Sequence, residues 1–200
     1  MPKADAQLVR SDVKEALLQA AAELIAEVGW GRVSSRMVAE RAGVNNALVH
    51  YHFASMEDLL RRAATRVMEQ SFAAPTREVW RGGDVVAGMR RALRWLDRLD
   101  VDAVDTMVLI EGLVQTRRDA DLQRHAAETL GALRTELARS IADGDHHVAA
   151  AGRDGVATVL LALLDGLLLH RIIDPTLKLG PAGRSLQVLL AGAESKGGHR

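Results

Sequence analysis

The sequence has no cysteine and few aromatic residues, and both shortages exclude classes of protein. Without cysteine there is no disulfide framework and no thiolate chemistry, which is consistent with a reducing compartment. Only Phe72, Trp80 and Trp95 are aromatic beyond residue 60, so a cavity built for flat aromatic compounds is not expected. An excess of charge is also missing. The 26 Lys and Arg balance 26 Asp and Glu, so net charge does not point to nucleic acid.

Long apolar segments are scarce as well. The first ten residues contain no apolar signal segment, and the longest apolar run, Val156–Leu169, is short for a bilayer and contains Asp165. We therefore expect a cytoplasmic protein without a membrane-spanning segment. No catalytic triad, phosphate loop or carboxylate pair is recognisable, so we expect no enzyme activity and no cofactor. Asp145–His147 has no spaced partner, so no metal site is expected.

Hydrophobic residues make up 48% of the chain, and Ala, Leu and Arg are abundant while β-branched runs are rare. This composition favours helices around a real core, and the apolar spacing predicts an all-α fold of about nine helices. The expected N-caps are Asp12 or its rival Ser11, Ser34 or Ser35, Asn45, and Ser55. Gly29 and Gly43 are expected to end the first two helices. The later helices are expected near 85–99, 103–116, 120–142, 153–173 and 181–193.

The stretch from 33 to 53 has the pattern of a helix-turn-helix, with a short helix, a glycine turn and a second helix. Its inward positions are Val38, Val44, Val49 and Phe53, and Tyr51 is also expected in the core. Its outward positions are Asn45, Asn46, Ala47, Leu48 and His50. Because amide side chains can bond to adenine and methyl groups can touch the thymine methyl, this outward face suits DNA base edges.

The segment 12–60 resembles the N-terminal domain of TetR-family transcriptional regulators. The resemblance is carried by Gly29-Trp30, by Ser-Arg-x-Val-Ala-x-x-Ala-Gly-Val at 35–44, by His-Tyr-His-Phe at 50–53 and by Ser-x-Glu-x-Leu-Leu at 55–60. Several constrained positions agree at fixed spacing, which makes the motif specific. The resemblance implies a helix-turn-helix DNA-binding domain at 1–55, a connecting helix at 56–74, and a larger helical ligand-binding and dimerisation domain at 75–200.

The resemblance also implies roles for single residues. Ser35 and Arg36 would approach phosphates or a groove edge. Asn46, Ala47 and Leu48 would lie in the major groove, with Asn45 at the start of their helix. His50 and His52 would touch the DNA backbone.

Three positions depart from the family pattern. The family often has Tyr where His50 stands, so a backbone contact there would depend on pH. It usually has Lys where Met56 stands, so one phosphate contact is lost, although the N–H groups of Met56 and Glu57 can still bind phosphate. Leu48 replaces a usual hydroxyl residue and is expected to read a thymine methyl instead.

The resemblance further implies a homodimer formed through the helices at 153–173 and 181–193. The first of these is apolar nearly all round, which by itself indicates burial on more than one side. The candidate dimer residues are Leu160, Leu164, Gly166, Leu167, Leu186, Leu189 and Leu190, with Gly166 allowing close approach. Such a dimer holds two reading helices about one DNA turn, roughly 34–36 Å, apart, and so predicts a palindromic operator.

A small-molecule effector is common in the family as well. Candidate lining residues are Trp80, Met89, Trp95, Met107, Glu111, Gln115 and His170, and core packing is the competing interpretation for each Met and Trp. Glu111 and Gln115, one turn apart in an apolar setting, are the best polar candidates. The leading hypothesis is thus a dimeric repressor that binds a palindromic operator through residues 46–52 and is released by an effector. The alternative is a helical small-molecule-binding or scaffolding dimer with weak or no specific DNA binding.

Overall fold

The computed structural model describes residues 2–73, 76–77, 85–144, 152–181 and 185. Every regular element in these ranges is helical, so the predicted all-α fold is confirmed. The helices are α1 (Pro2–Val28), α2 (Ser35–Ala42), α3 (Asn46–His52), α4 (Met56–Val67), α5 (Val85–Arg98), α6 (Val104–Gln115), α7 (Ala120–Gly144) and α8 (Arg153–Ile173). A 3₁₀ turn at Trp30–Arg32 follows α1, and a π-helical turn at Met68–Ala73 follows α4. Most of the helix predicted at 181–193 lies outside the described residues.

The first helix is longer than predicted. α1 begins at Pro2, so the prediction that Asp12 or Ser11 caps it is wrong. The residues before Asp12 include Ala, Gln, Leu, Lys and Arg, which are good helix formers, and proline suits the first helical turn. The helix ends as predicted, because Gly29 takes a φ of 79° and its N–H bonds to the carbonyl of Ile25 at 3.0 Å.

The other three predicted caps are confirmed. The hydroxyls of Ser34 and Ser55 and the amide oxygen of Asn45 each accept a hydrogen bond from a first-turn N–H, at 3.4, 3.1 and 2.8 Å respectively. Ser34 rather than Ser35 is therefore the cap of α2. Gly43 has a φ of 68° and allows the left-handed turn between α2 and α3. Local polar chemistry thus sets the start of three successive helices.

The N-terminal core is formed by α1, α2, α3, α4 and α6. Its most buried side chains include Leu17, Ile25, Val38, Val49, Leu59 and Val108. Phe53 is 3% exposed, as predicted, but Tyr51 is 63% exposed, so the prediction that it packs in the core is wrong. Val49 and Phe53 are four residues apart and share one helix face, whereas Tyr51, between them, points to the other side.

The described helices separate into two compact units. One comprises Met1–Phe72 with Asp102–Thr129, and the other Ala73–Val101 with Leu130–Arg200. α6 and the first turns of α7 therefore pack with α1–α4, although they lie beyond residue 75. A Cβ added to Gly112 of α6 would lie 3.7 Å from that of Ala64 in α4, which shows how closely the two helices approach. The functional division at residues 55 and 74 stays a prediction.

In the second unit, α5, the later turns of α7 and α8 share an apolar core. Arg171, near the end of α8, is buried and donates to the backbone carbonyls of Asp97 and Leu99 at 3.2 Å each. A buried guanidinium requires such acceptors. These bonds therefore hold the end of α8 against the end of α5.

α8 has one buried and one exposed apolar side. Leu160 and Leu164 lie in the core, whereas Val159, Leu169 and Ile173 are more than half exposed. By length and composition alone α8 could cross a membrane, although the core helix of a soluble protein passes the same test. The complete helix, with 21 residues, is longer than the apolar run Val156–Leu169 that the sequence singled out.

Candidate nucleic-acid interface

The residues predicted to read DNA reach the surface on α3. Asn46, Ala47 and His50 are exposed, and Leu48 and His52 are half-buried. A short helix thus presents an amide, a methyl group and an imidazole to solvent. These groups are suited to hydrogen bonds and methyl contacts with base edges.

Asn45 has the capping role predicted for it, whereas the exposure of Tyr51 was not predicted. The side-chain oxygen of Asn45 accepts the N–H of Ala47, which uses one of its two lone pairs and leaves the amide N–H groups for a ligand. The exposed ring of Tyr51 meets that of His52 edge-on, with ring centroids 5.1 Å apart. Tyr51 is four residues after Ala47 and therefore shares its face, a spacing from which its exposure could have been predicted.

Two helix N-termini flank α3. At the start of α2, Ser35 is half-buried and Arg36 is exposed. At the start of α4, Met56 is half-buried, and the N–H groups of Met56 and Glu57 lie in the first turn, where a helix supplies no internal acceptor. Both helix N-termini lie in the same unit as α3. The free N–H groups at a helix N-terminus favour the binding of phosphate.

Four arginines of α2 and α4 are paired with carboxylates. Arg41 bonds to Glu27 at 2.8 and 2.7 Å and to Glu23 at 3.3 Å; Arg61 and Arg62 contact Asp58, and Arg66 contacts Glu15. The bond from Arg41 lowers the pKa of the Glu27 carboxyl, and both carboxylates raise the pKa of Arg41.

Arg36, in contrast, takes part in none of the ion pairs seen among the described residues. The balanced charge of the whole chain therefore conceals a difference between arginines paired with carboxylates and the exposed Arg36.

Asp58 fixes the turn between α3 and α4. It is buried, and its Oδ2 accepts the N–H of Ala54 at 3.3 Å, while Oδ1 accepts from Arg62 at 2.8 Å. Burial by itself raises the pKa of the Asp58 carboxyl, but the bonds from Arg62 and Ala54 outweigh burial, so the pKa lies below its ordinary value. The carboxylate is therefore charged at neutral pH and holds the end of α3.

The predicted effector residues divide between the two units. The first unit contains Met107, Glu111 and Gln115, and the second contains Met89, Trp95 and His170. Met89 is buried and His170 is exposed. Trp80 lies outside the described residues. Glu111 accepts the backbone N–H of Trp30 at 3.2 Å, which gives it a structural role. Gln115 lines an open cleft of about 510 Å³ with Trp30, Glu57 and residues 118–121. These positions remain predictions.

The predicted dimer residues are placed unequally. Leu160 and Leu164 are buried in the chain's own core, so they have little surface for a partner, whereas Gly166 is exposed and Leu167 half-buried. Leu186, Leu189 and Leu190 lie outside the described residues. The apolar surface available on α8 is the face of Val159, Leu169 and Ile173. The sequence did not show which side chains of α8 face the chain's own core. The exposed apolar residues of α8 therefore differ from those predicted for the dimer contact.

Residues 17–63 match the family model described as bacterial regulatory proteins, tetR family. HTH-type transcriptional regulators of Mycobacterium tuberculosis and Mycobacterium bovis are 29% identical to this chain over 122 residues. That region is 61% of this chain and 62% of each relative, so it spans less than two thirds of the relatives' length.

Solved structures extend the likeness to most of the chain. A transcriptional regulator from Streptomyces coelicolor A3(2) is 27% identical with a TM-score of 0.64, covering 80% of this chain and 87% of that one. One from Rhodococcus is 29% identical with a TM-score of 0.67, covering 81% and 84%. A regulator from Saccharomonospora viridis in complex with choline shares the fold at 22% identity, with a TM-score of 0.72 and coverage of 90% and 96%.

Proposed function

We propose that this chain, which belongs to the tetR family of bacterial regulatory proteins through its residues 17–63, is a transcriptional regulator that binds duplex DNA through α3. The exposure of Asn46, Ala47 and His50 on one short helix supports this most directly. Both ends of that helix are held, by the Asn45 cap and by the contact of Asp58 with Ala54. A reader needs this rigidity because base contacts require fixed geometry.

Each exposed group has a chemical partner on DNA. The Asn46 amide can bond to both N6 and N7 of adenine, and Ala47 and Leu48 can touch thymine methyl groups. Arg36 and Tyr51 would contact phosphates, which position the protein without specifying sequence. His50 and His52 would contact the backbone, as would Ser35 and the first N–H groups of α4.

The protein is proposed to act as a cytoplasmic homodimer on a palindromic operator. The exposed apolar face of α8 supports self-association, because apolar side chains gain from leaving water. Release by a small-molecule effector is part of the proposal, since the fold also occurs in the choline-bound regulator from Saccharomonospora viridis. An effector would act by binding the DNA-competent and released states with different affinity.

Selection from randomised 30-bp duplexes followed by fluorescence anisotropy tests DNA binding. The wild-type protein should enrich a palindrome, and its affinity should fall steeply with salt because phosphate contacts release counterions. Asn46→Ala should cost about 1–3 kcal/mol and relax the preference at one base pair.

Two arginine variants of α2 distinguish the loss of a direct phosphate contact from the general effect of losing a positive charge. Arg36→Ala should lower the salt slope by about 0.9, whereas Arg41→Ala, whose guanidinium is occupied by Glu27, should leave the slope unchanged. Absence of any enriched duplex would contradict the proposal. It would favour the alternative, a helical small-molecule-binding or scaffolding dimer.

A further inference from the structure

A single arginine connects the turn after α3 with the start of α7. Arg61 of α4 donates from Nη1 to Asp121 Oδ2 at 3.0 Å and to Asp119 Oδ2 at 3.4 Å. Its Nη2 donates to Asp58 Oδ1 at 3.4 Å. We propose that Arg61 is a positioning residue for DNA binding, which ties the α3–α4 turn to the N-terminus of α7 and so sets the direction in which α3 is presented. This rests on the proposed function.

On one side, Asp58 carries the connection to the end of α3. Its Oδ2 accepts the N–H of Ala54, and its own N–H donates to Ser55 Oγ at 3.1 Å. The turn is thus held by two bonds that run in opposite directions. A shift of the Asp58 carboxylate therefore displaces the backbone directly after α3.

On the other side, Asp119 is itself fixed. Its Oδ1 accepts the N–H of Leu122 at 2.9 Å, in the first turn of α7. Leu122 is fully buried and packs with Met68 and Ala126. Ala54, Asp58, Arg61, Asp119 and Leu122 therefore form a continuous series of contacts from the turn after α3 to the buried Leu122.

α6 makes a second connection to the same unit. Glu111 accepts the N–H of Trp30 in the turn after α1, and Gly112 lies against Ala64 of α4. Besides the packing of α6 against α1 and α4, the start of α7 is thus attached to α4 through Arg61. Arg61 is the attachment that leads to α3, so its loss should reorient α3 while the fold persists.

The ion pairs of Arg61 suit a positioning role because they are partly shielded from water and stay charged. Side chains of Arg61, Asp119 and Asp58 are 27%, 20% and 11% exposed, so solvent screens them only in part. Burial alone would lower the pKa of Arg61, but the attraction of Asp119 and the bond to Asp58 raise it above the ordinary value. The link therefore stays charged at physiological pH. Such pairs contribute little to global stability, yet they can fix an orientation.

The decisive variant is Asp119→Asn with Asp121→Asn. Asparagine keeps an acceptor for the N–H of Leu122 but removes the charges that hold Arg61. Removing negative charge should by itself strengthen binding to DNA. If Arg61 positions α3, the affinity should change in the opposite direction. We expect the affinity for the selected duplex to fall about fivefold, with the salt slope unchanged. Glu128→Gln, an exposed charge loss on the same helix, is the matched control and should not weaken binding.

Arg61→Ala completes a double-mutant cycle. It should reduce affinity to a similar extent in the wild type and have a much smaller effect in the Asp119→Asn, Asp121→Asn background, because the link is already broken. Arg66→Ala, on the same helix but paired with Glu15, controls for loss of positive charge. Equal or tighter binding by the asparagine variant overturns the proposal. So does an Arg61→Ala salt slope lowered by about 0.9, since Arg61 would then contact phosphate directly.

Hydrogen exchange separates failure of this proposal from failure of the proposed function. If the wild type binds no selected duplex, the proposed function fails. Exchange of the Ala54 amide still reports on the link, and it should be several-fold faster in the asparagine variant than in wild type or Glu128→Gln. Unchanged Ala54 exchange would overturn the link itself. Circular dichroism of each variant verifies that the helices have formed.

Discussion

Replacing Gly43 by alanine tests the backbone geometry that orients α3. Gly43 has a φ of 68° and a ψ of 30°, a region in which a residue with a Cβ is strained by about 1–2 kcal/mol. A Cβ built at Gly43 meets no atom within 4 Å, so the predicted loss is backbone strain alone. Alanine also restricts the unfolded chain, which offsets about 0.4–1 kcal/mol of that loss.

Gly31→Ala is the matched control. A Cβ there also meets no atom within 4 Å, and Gly31 is not among the glycines with positive φ. Both variants share the unfolded-state effect, so the free energy of unfolding should be lower for Gly43→Ala by about 1–2 kcal/mol. Urea denaturation followed by circular dichroism measures it, and Gly43→Asn should recover part of the loss because asparagine tolerates this region. Equal stability of the two alanine variants would refute the reasoning.

Three further predictions follow from burial and charge. Phe53→Ala should lower the free energy of unfolding by about 3–5 kcal/mol, whereas Tyr51→Ala, at an exposed position, should change it by less than about 0.5 kcal/mol in urea denaturation. Because the native state lowers the pKa of Asp58, the Asp58 carboxylate contributes to stability above its ordinary pKa near 3.9, and this contribution is lost as pH falls through the lowered native value. Asp58→Asn should therefore reduce the fall in the free energy of unfolding that urea titrations measure below about pH 4. An unchanged fall in the variant would contradict the prediction. Val159→Lys with Ile173→Lys should convert a dimer to monomer in light scattering if the exposed face of α8 is the dimer contact, and a persisting dimer would exclude that face.

Local signals allowed most of the helix-turn-helix to be predicted. Caps at Ser34, Asn45 and Ser55 and the left-handed Gly43 act within three or four residues, so their partners are adjacent in the sequence. The cap predicted at Asp12 was wrong because its signal, too, covers only a few residues. A cap signal has meaning only if the preceding residues leave the helix, and those residues favour helix themselves.

The sequence by itself determined the all-α fold, the resemblance of its N-terminal segment to a regulator family and the helix that faces outward, because periodicity, caps and a fixed-spacing motif are properties of neighbouring residues. Only the tertiary structure decided which arginines are occupied, because Arg61 meets Asp119 and Asp121 across 58 and 60 positions of chain. It also decided that Leu160 and Leu164 face inward and that α6 packs with α1–α4. Such pairings depend on how helix faces meet in space, and residue spacing along one helix does not specify them.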